Sequence, residues 1–315
     1  MTGPVVLVGA PDDEHIQAVA EALHRRQIDT LTFDSLGFPM QARVTFGIAL
    51  DDIALDGRPV PRPRAVYLRA LYLSPIGFGV DFTDAMNQNW RRTMIVLREK
   101  AEMLMSLMQR WEALDVPIYN GPIAAEATRK PAQMARLGAA GLPVPQTLWS
   151  NDPDAVLRFA RDRKLIYKPI RGGASTRSLE PDDLAPERLE RLSSSAVCFQ
   201  ELLPGENRRV YVLDGRVIAA YRIDATELDY RGYETAVTAI EIDDAQTAIC
   251  VRAAEVLGLR FTGMDLKGAA DGSFRILELN PSPMFQGFDA STGTDVLGAL
   301  CDALGSGGSG SGLAR

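Results

Sequence analysis

Between Phe261 and Pro283 the chain reads FTGMDLKGAADGSFRILELNPSP, two strand-like runs around an Asp271-Gly272 pair. Asp-Gly favours a two-residue type I′ turn, so the spacing predicts a β-hairpin. With that pair as the loop, Asp265 stands across from Glu278 and Gly263 across from Asn280. Side chains alternate along a strand, so Asp265, Lys267, Glu278 and Asn280 share one face. Met264, Leu266, Leu277 and Leu279 share the other, which is aliphatic and must pack on a core. Facing carboxylates repel. A hard divalent cation reverses that sign: two carboxylates and an amide carbonyl suit Mg²⁺, with substrate phosphates completing its shell. A hairpin whose acids merely face water is the alternative, and it leaves the contrast between the two faces unexplained.

The rest of the chain sets this hairpin in an α/β frame. Val5–Gly9 is a continuous apolar run, as a buried parallel strand requires. A helix over 15–26 and further apolar segments at Thr30–Phe33 and Ala65–Leu68 follow, so an open α/β sheet is predicted. In the helix predicted over Arg91–Leu114, Met94, Leu97, Ala101, Leu104, Met108 and Trp111 recur at helical spacing and read as a core face rather than a partner groove. His15 and His24, the two histidines, read as surface residues of the first helix. At 315 residues the chain exceeds one ordinary core, and two or three associated lobes are expected.

No apolar run is long enough for a membrane span, so no membrane is expected. The net charge of −7 argues against a nucleic-acid partner. Cys198, Cys250 and Cys301 form no CxxC pair, which favours a reducing, cytoplasmic setting.

Five of the 34 basic residues are lysines, which draws attention to each of them. Lys168 ends the apolar run Leu165–Lys168, just before Arg171-Gly172-Gly173-Ala174-Ser175-Thr176. A lysine in an apolar strand calls for an anion, and a loop of small residues lets backbone N–H groups approach phosphate. Arg171 and Arg177 flank the loop and read equally as phosphate holders or surface residues. A second hairpin is predicted around Asp214-Gly215, placing Asn207 opposite Arg222, with Arg209 diagonal to it on the same face. On that register Val210, Val212, Val217 and Ala219 take the other face. Two neighbouring arginines invite a carboxylate or phosphate between them.

Taken in order, these pieces resemble the ATP-grasp superfamily, most of all the ribosomal-protein glutamate ligases and the graspetide (microviridin-type) peptide macrocyclases. The resemblance covers Asn120 to about Gly293 and is weaker before it, where Phe33-Asp34, Phe38-Pro39 and Tyr67-Leu68-Arg69 carry it. The run from Asn120 through Lys130-Pro131-Ala132-Gln133 to Pro143-Val144-Pro145-Gln146-Thr147 looks like the opening of the grasp. The resemblance implies a pre-ATP-grasp α/β domain over 1–118, a central lobe over 119–197, and a C-terminal lobe with a metal site over 198–304, the two lobes gripping ATP. It makes Lys130 and Lys168 the phosphate lysines, with Gly172, Gly173 and Ser175 beside them. Gln200, Glu201 and Leu203 fall on the adenine linker, and Glu206 falls near the ribose. Arg209 and Arg222 match arginines that stabilise the transferred phosphoryl group. Asp265, Glu278 and Asn280 match ligands of Mg²⁺, for which two ions are expected. Asn207 stands where the ribosomal-protein ligases carry aspartate.

The activity so implied is ATP-dependent: a carboxylate becomes an acyl-phosphate, and an amine or hydroxyl displaces phosphate to give a C–N or ester bond. A ribosomal precursor peptide is the expected substrate. Amino-acid addition to a small molecule or a protein terminus is an alternative, and so is a non-catalytic ATP-binding regulator. The oligomeric state is left open, a homodimer included. Gly305–Gly312 has a flexible Gly/Ser composition. Leu313-Ala314-Arg315 behind it resembles the end of a tethered peptide, with an appended tail or a packing arm as plainer readings.

Overall fold

The computed structural model describes residues 3–73, 82–126, 128–171, 175–226 and 234–308, without the side chains of 82–86, 88, 123, 125 and 234. The sequence-based readings of Gly172, Gly173 and Leu313–Arg315 lie outside the described residues. β1 (Val5–Gly9) leads through α1 (Glu14–Arg25) to β2 (Thr30–Asp34). A small antiparallel sheet follows, made of β3 (Val44–Phe46), β4 (Ile53–Leu55) and β5 (Arg58–Pro59). Then come β6 (Ala65–Leu68), the long α2 (Phe82–Ala113) and β7 (Ile118–Tyr119). The expected open sheet is present: β2, β1, β6 and β7 lie in that order, all parallel.

α1 starts where Asp13 accepts hydrogen bonds from the His15 and Ile16 amides at 2.9 and 3.1 Å. α2 begins before the predicted Arg91 start and breaks helical geometry at Asn89 (φ −162°, ψ 82°). Its C-terminal part buries Leu97, Leu104, Met108 and Trp111, whereas Met94 stays exposed.

α3 (Pro122–Glu126) and α4 (Lys130–Ala139) lead into a second layer: β8 (Thr147–Ser150), α5 (Pro153–Ala160), β9 (Leu165–Lys168), β10 (Arg177–Ser178), α6 (Pro186–Leu189) and β11 (Val197–Glu201). The strands form an antiparallel sheet ordered β10-β9-β11-β8. A division at 197/198 would cut β11, which pairs with both β8 and β9. We place the division after Glu201.

The third layer holds β12 (Asn207–Leu213), β13 (Arg216–Ala225), β14 (Glu234–Ala239), α7 (Asp244–Leu257), β15 (Phe261–Gly268), β16 (Phe274–Asn280), α8 (Gln286–Thr292) and α9 (Val296–Gly305). Its sheet runs β14-β13-β12-β15-β16. α7 starts on the Asp243 side chain, which accepts from the Gln246 amide at 2.7 Å, and stops at Gly258 in the left-handed region (φ 68°). It covers Val210, Val212, Met264 and Leu266.

The opposite face of that sheet packs Tyr211, Leu213, Tyr221 and Phe261 into one core with β1, α1 and α9. α9 thus closes the N-terminal layer although it comes from the chain's other end. Among the described residues no helix is long and apolar enough to cross a membrane.

Lys100 on α2 is buried in the N-terminal layer, its Nζ donating to the Leu36 carbonyl at 3.1 Å. Burial pushes its pKa down to about 8, with Asp34 pulling the other way. In the unfolded chain the amine titrates near 10.5. Between pH 8 and about 10.5 the unfolded state therefore binds more protons, and stability rises with pH. Urea unfolding of the wild type should show this gain relative to Lys100→Met across that window; parallel pH profiles would refute it.

Candidate active site

One face of the C-terminal sheet passes from core to cleft along each strand. On β12 the row is Leu213, Tyr211, Arg209, Asn207, and on β15 it is Phe261, Gly263, Asp265, Lys267, each pair directly opposed. The first residues of each row are buried among aromatic groups; the last line a cleft. Arg209 sits at the transition. Its guanidinium lies 5.2 Å from the Tyr211 ring centroid and its Nη1 donates to Asp265 Oδ1 at 2.7 Å. Gly263 makes room for it: a Cβ there would lie 2.2 Å from Arg209 Nη2.

Asp265 faces Glu278 and Gly263 faces Asn280, the expected pairings, by a different route. Ala269 and Ser273 still pair, and Gly272 alone in the turn has a left-handed φ (82°), so the loop holds three residues. That shifts the register by one, and a bulge on β16 beyond Leu266↔Ile276 shifts it back. The extra residue is Leu277. It lines the cleft instead of the core, and Ile276 takes the buried place expected for it.

Lys130, at the start of α4, reaches Glu278 Oε2 at 2.6 Å. Asn280 Nδ2 donates to Glu278 Oε1 at 3.4 Å. Burial opposes ionisation of Glu278, but Lys130, Lys168 and Asn280 outweigh it and hold the carboxyl below the usual carboxylate range.

The second sheet forms the opposite wall. Lys168 Nζ donates to Gln200 Oε1 at 3.0 Å, and Gln200 Nε2 donates to Thr147 Oγ1 at 3.0 Å. Ile166, Thr176, Glu201, Leu202 and Leu203 complete that wall of a cleft that is open to solvent. The Glu201 carboxylate accepts from the Gln146 amide, so its side chain is already engaged. Asn207 accepts from Lys267 Nζ at 2.9 Å, and burial lowers the Lys267 pKa. Glu206 forms a close ion pair with Arg208. Ser175 is exposed and outside the cleft lining. The walls meet at a glycine crossing, where Gly205 N–H donates to the Gly268 carbonyl at 3.1 Å and a Cβ on Gly205 would lie 2.6 Å from Gly268 Cα.

Arg222 is a correction. The Asp214-Gly215 turn forms as expected, with φ 44° and 74°. A bulge beyond Tyr211/Val212 then moves the register by one, so Arg222 pairs with Arg208 rather than Asn207. It therefore shares the face of Arg208, which bonds Gln246 of α7, and turns away from Arg209 and the cleft. Its Nε contacts Asp224 Oδ1 at 3.3 Å. The same bulge puts Ala219 opposite Tyr211, on the face away from Val210 and Val212.

His15 is also not at the surface. It is buried, its ring edge-on to Phe285 at 4.8 Å, and its Nε2 accepts from the Phe285 amide at 3.1 Å. Burial, with help from Arg69, lowers its pKa.

Other functional contacts gave no motif that sequence reasoning could read. The turn after Asn280 is tied by Arg69, whose Nη1 donates to the Ser282 carbonyl and Oγ at 2.8 and 2.9 Å while Asp13 holds its Nε. Asn120 Nδ2 donates to the Pro281 carbonyl at 2.6 Å, and its Oδ1 accepts from Arg260 and Phe261 amides at 2.8 and 3.1 Å. Asn120 was part of the family-like run, but the run alone did not reveal that its amide binds two strands.

Among the described residues no three His, Cys, Asp or Glu side chains cluster as a metal cage. The donor set is two carboxylates and one amide, each carboxylate already carrying a cationic neighbour. That chemistry fits Mg²⁺, which relies on one or two carboxylates plus substrate phosphates. Gly263→Ala should displace Arg209 from Asp265. Overpacking of this kind typically costs about 1–3 kcal/mol, read as a lowered urea midpoint, and the crystal structure should show a moved guanidinium. An unmoved Arg209 would refute the packing account.

The profile of the RimK-like ATP-grasp domain matches residues 193–304. A probable alpha-L-glutamate ligase of Chromohalobacter salexigens is 26% identical over 215 residues, 63% of this chain and 70% of that protein. The macrocyclase MdnC of Microcystis aeruginosa MRC, solved with its precursor peptide MdnA, shares the fold at 20% identity, with a TM-score of 0.79 over 95% of this chain and 98% of its own. The ATP-grasp ligase PsnB, solved with a phosphomimetic variant of its minimal precursor, Mg and ADP, is 48% identical. It superposes with a TM-score of 0.91 over 98% of this chain and 99% of its own. Identity at that level across nearly the whole length, on top of two sheets closing over a lysine- and carboxylate-lined cleft, shows that this chain belongs to the ATP-grasp ligases.

Proposed function

We propose that this enzyme activates a side-chain or terminal carboxylate of a ribosomally made peptide and joins it to an amine or hydroxyl of the same peptide. The convergence in one cleft of three of the five lysines and a facing carboxylate pair carries this reading. The relatives PsnB and MdnC, both solved with precursor peptides, support a peptide substrate. Three buried free thiols, Cys198, Cys250 and Cys301, support a cytoplasmic setting.

In the first step a carboxylate oxygen attacks the γ-phosphorus of ATP, and the bond to the β–γ bridging oxygen breaks to release ADP. In the second, the amine or hydroxyl attacks the acyl carbon, phosphate leaves, and the nucleophile loses its proton. Lys130 and Lys168 neutralise the phosphates from opposite walls. Arg209, locked by Tyr211 and Asp265, faces the transferred group with a donor that needs no reorganisation. Ile166, Leu203 and Leu277 supply an apolar slot for the base beside the Gln200–Leu203 linker. Mg²⁺ held by Asp265, Glu278 and Asn280 would act as a Lewis acid on the phosphoryl oxygens. The reaction asks the protein mainly for position and charge, and the described residues of the cleft offer no cysteine or histidine nucleophile.

ATP turnover with an acidic peptide should release ADP and phosphate in step with dehydration of the peptide by one water; AMP and pyrophosphate would sink the acyl-phosphate route. Turnover with free glutamate and a peptide terminus, giving a mass gain in place of a loss, would favour the glutamate-ligase reading that the curated relative supports.

Asp265→Asn and Lys168→Ala should each cut kcat on the order of 10²–10³-fold, the scale of losing one oriented electrostatic contact. Lys164→Ala, exposed four positions before Lys168, should stay near wild type. Equal losses at Lys164 and Lys168 would show that the phosphate strand is misassigned.

A further inference from the structure

Gln133 lies on α4 one turn beyond Lys130 and is fully buried. Its Oε1 accepts from the Leu279 N–H at 2.9 Å, and its Nε2 donates to the Leu279 carbonyl at 3.0 Å. A weaker contact reaches the Thr128 carbonyl at 3.4 Å. Leu279 is the residue between Glu278 and Asn280 on β16, the outer strand of its sheet. An outer strand leaves N–H and carbonyl groups pointing away from its single neighbour. Here those groups lie beneath α4, where an unmet donor or acceptor would be costly. One amide side chain satisfies both.

The contact falls two residues past the bulge at Leu277, where the ladder has just been broken and cannot set the strand's path by itself. Glu278 and Asn280 flank Leu279 on the same face, so holding the Leu279 backbone holds both. Lys130, from the same helix, meets Glu278 directly at 2.6 Å.

We propose that Gln133 is a positioning residue: through Leu279 it sets the spacing of Glu278 and Asn280, so that α4 places the phosphate lysine and the oxygen donors as one unit. The proposal rests on the metal–nucleotide reading of the cleft given above.

The test is calorimetric binding of ADP with and without Mn²⁺. Wild type must bind ADP more tightly with Mn²⁺; a wild type indifferent to Mn²⁺ would defeat the reading of the cleft itself. Given that tightening, Gln133→Met, which keeps volume and loses both hydrogen bonds, should bind metal-free ADP within twofold of wild type. It should lose at least tenfold of the Mn²⁺-dependent gain. Gln133→Glu, which can still accept from the Leu279 amide, should retain more of it. A gain in Gln133→Met equal to that of wild type overturns the proposal. Should Gln133→Met fail to fold, Gln133→Glu and native-state hydrogen exchange of wild type decide instead. A slowly exchanging Leu279 amide together with a reduced Mn²⁺ gain in Gln133→Glu supports the role, and a rapidly exchanging one overturns it.

Discussion

Two carboxylates stand side by side on neighbouring strands, Asp265 on β15 and Glu278 on β16, and most of what surrounds them answers their mutual repulsion. Arg209 from β12 neutralises one, and Lys130 from α4 neutralises the other. Each cation is then held by something else. Tyr211 and the bare backbone of Gly263 cradle the guanidinium. The ion pair of Lys130 is anchored through the helix whose Gln133 grips the adjacent strand. The result is a charge-balanced floor under the cleft. On the function proposed above, an incoming polyphosphate with its metal would meet groups whose charges are already arranged in alternation, and arrangement before reaction is where electrostatic catalysis gains most.

The N-terminal layer takes part in this arrangement. The aromatic core under β12, β13 and β15 is shared with β1, α1 and α9, so the floor of the cleft and the parallel sheet pack as one body. The turn after Asn280 is tied at four residues: Pro281 to Asn120, Ser282 to Arg69, Met284 to the Tyr211 hydroxyl, and Phe285 to His15. A loop with so many backbone groups fixed from outside has little freedom to carry Asn280 away from Glu278. That explains why an arginine in a Tyr-Leu-Arg run and a histidine at a helix start, both remote in sequence from the cleft, bear on its geometry.

The legibility of the two hairpins differed for one physical reason. In the β15–β16 hairpin the loop is one residue longer than an Asp-Gly turn suggests, and the Leu277 bulge takes up that residue. The pairing of Asp265 with Glu278 came out as expected while Leu277 did not. In the β12–β13 hairpin the turn was as expected, but a bulge beyond Tyr211 had no compensating partner, and Arg222 turned to the other face. A strand's side-chain period is two, so a single inserted residue reverses every side chain beyond it. Nothing in the local pattern of valines and alanines marks where such a residue will fall. Bulges are set by how the strand must bend over the elements beneath it.

What the sequence determined by itself is what local chemistry controls: the strand–helix alternation, the glycine turns, the mostly aliphatic face of the β15–β16 hairpin, and the concentration of rare lysines in family-like runs. From these the ATP-grasp fold and the facing carboxylates could be read, and two of the lysines that line the cleft singled out. Only the tertiary structure decided which groups meet across long separations. Gln133 closing on Leu279, Asn120 joining Phe261 to Pro281, Gly205 against Gly268, and His15 buried beneath Phe285 all depend on how whole layers stack. An amide or a glycine carries no pattern announcing such a partner. Its role comes from a buried donor, acceptor or gap that exists only once the layers are in place.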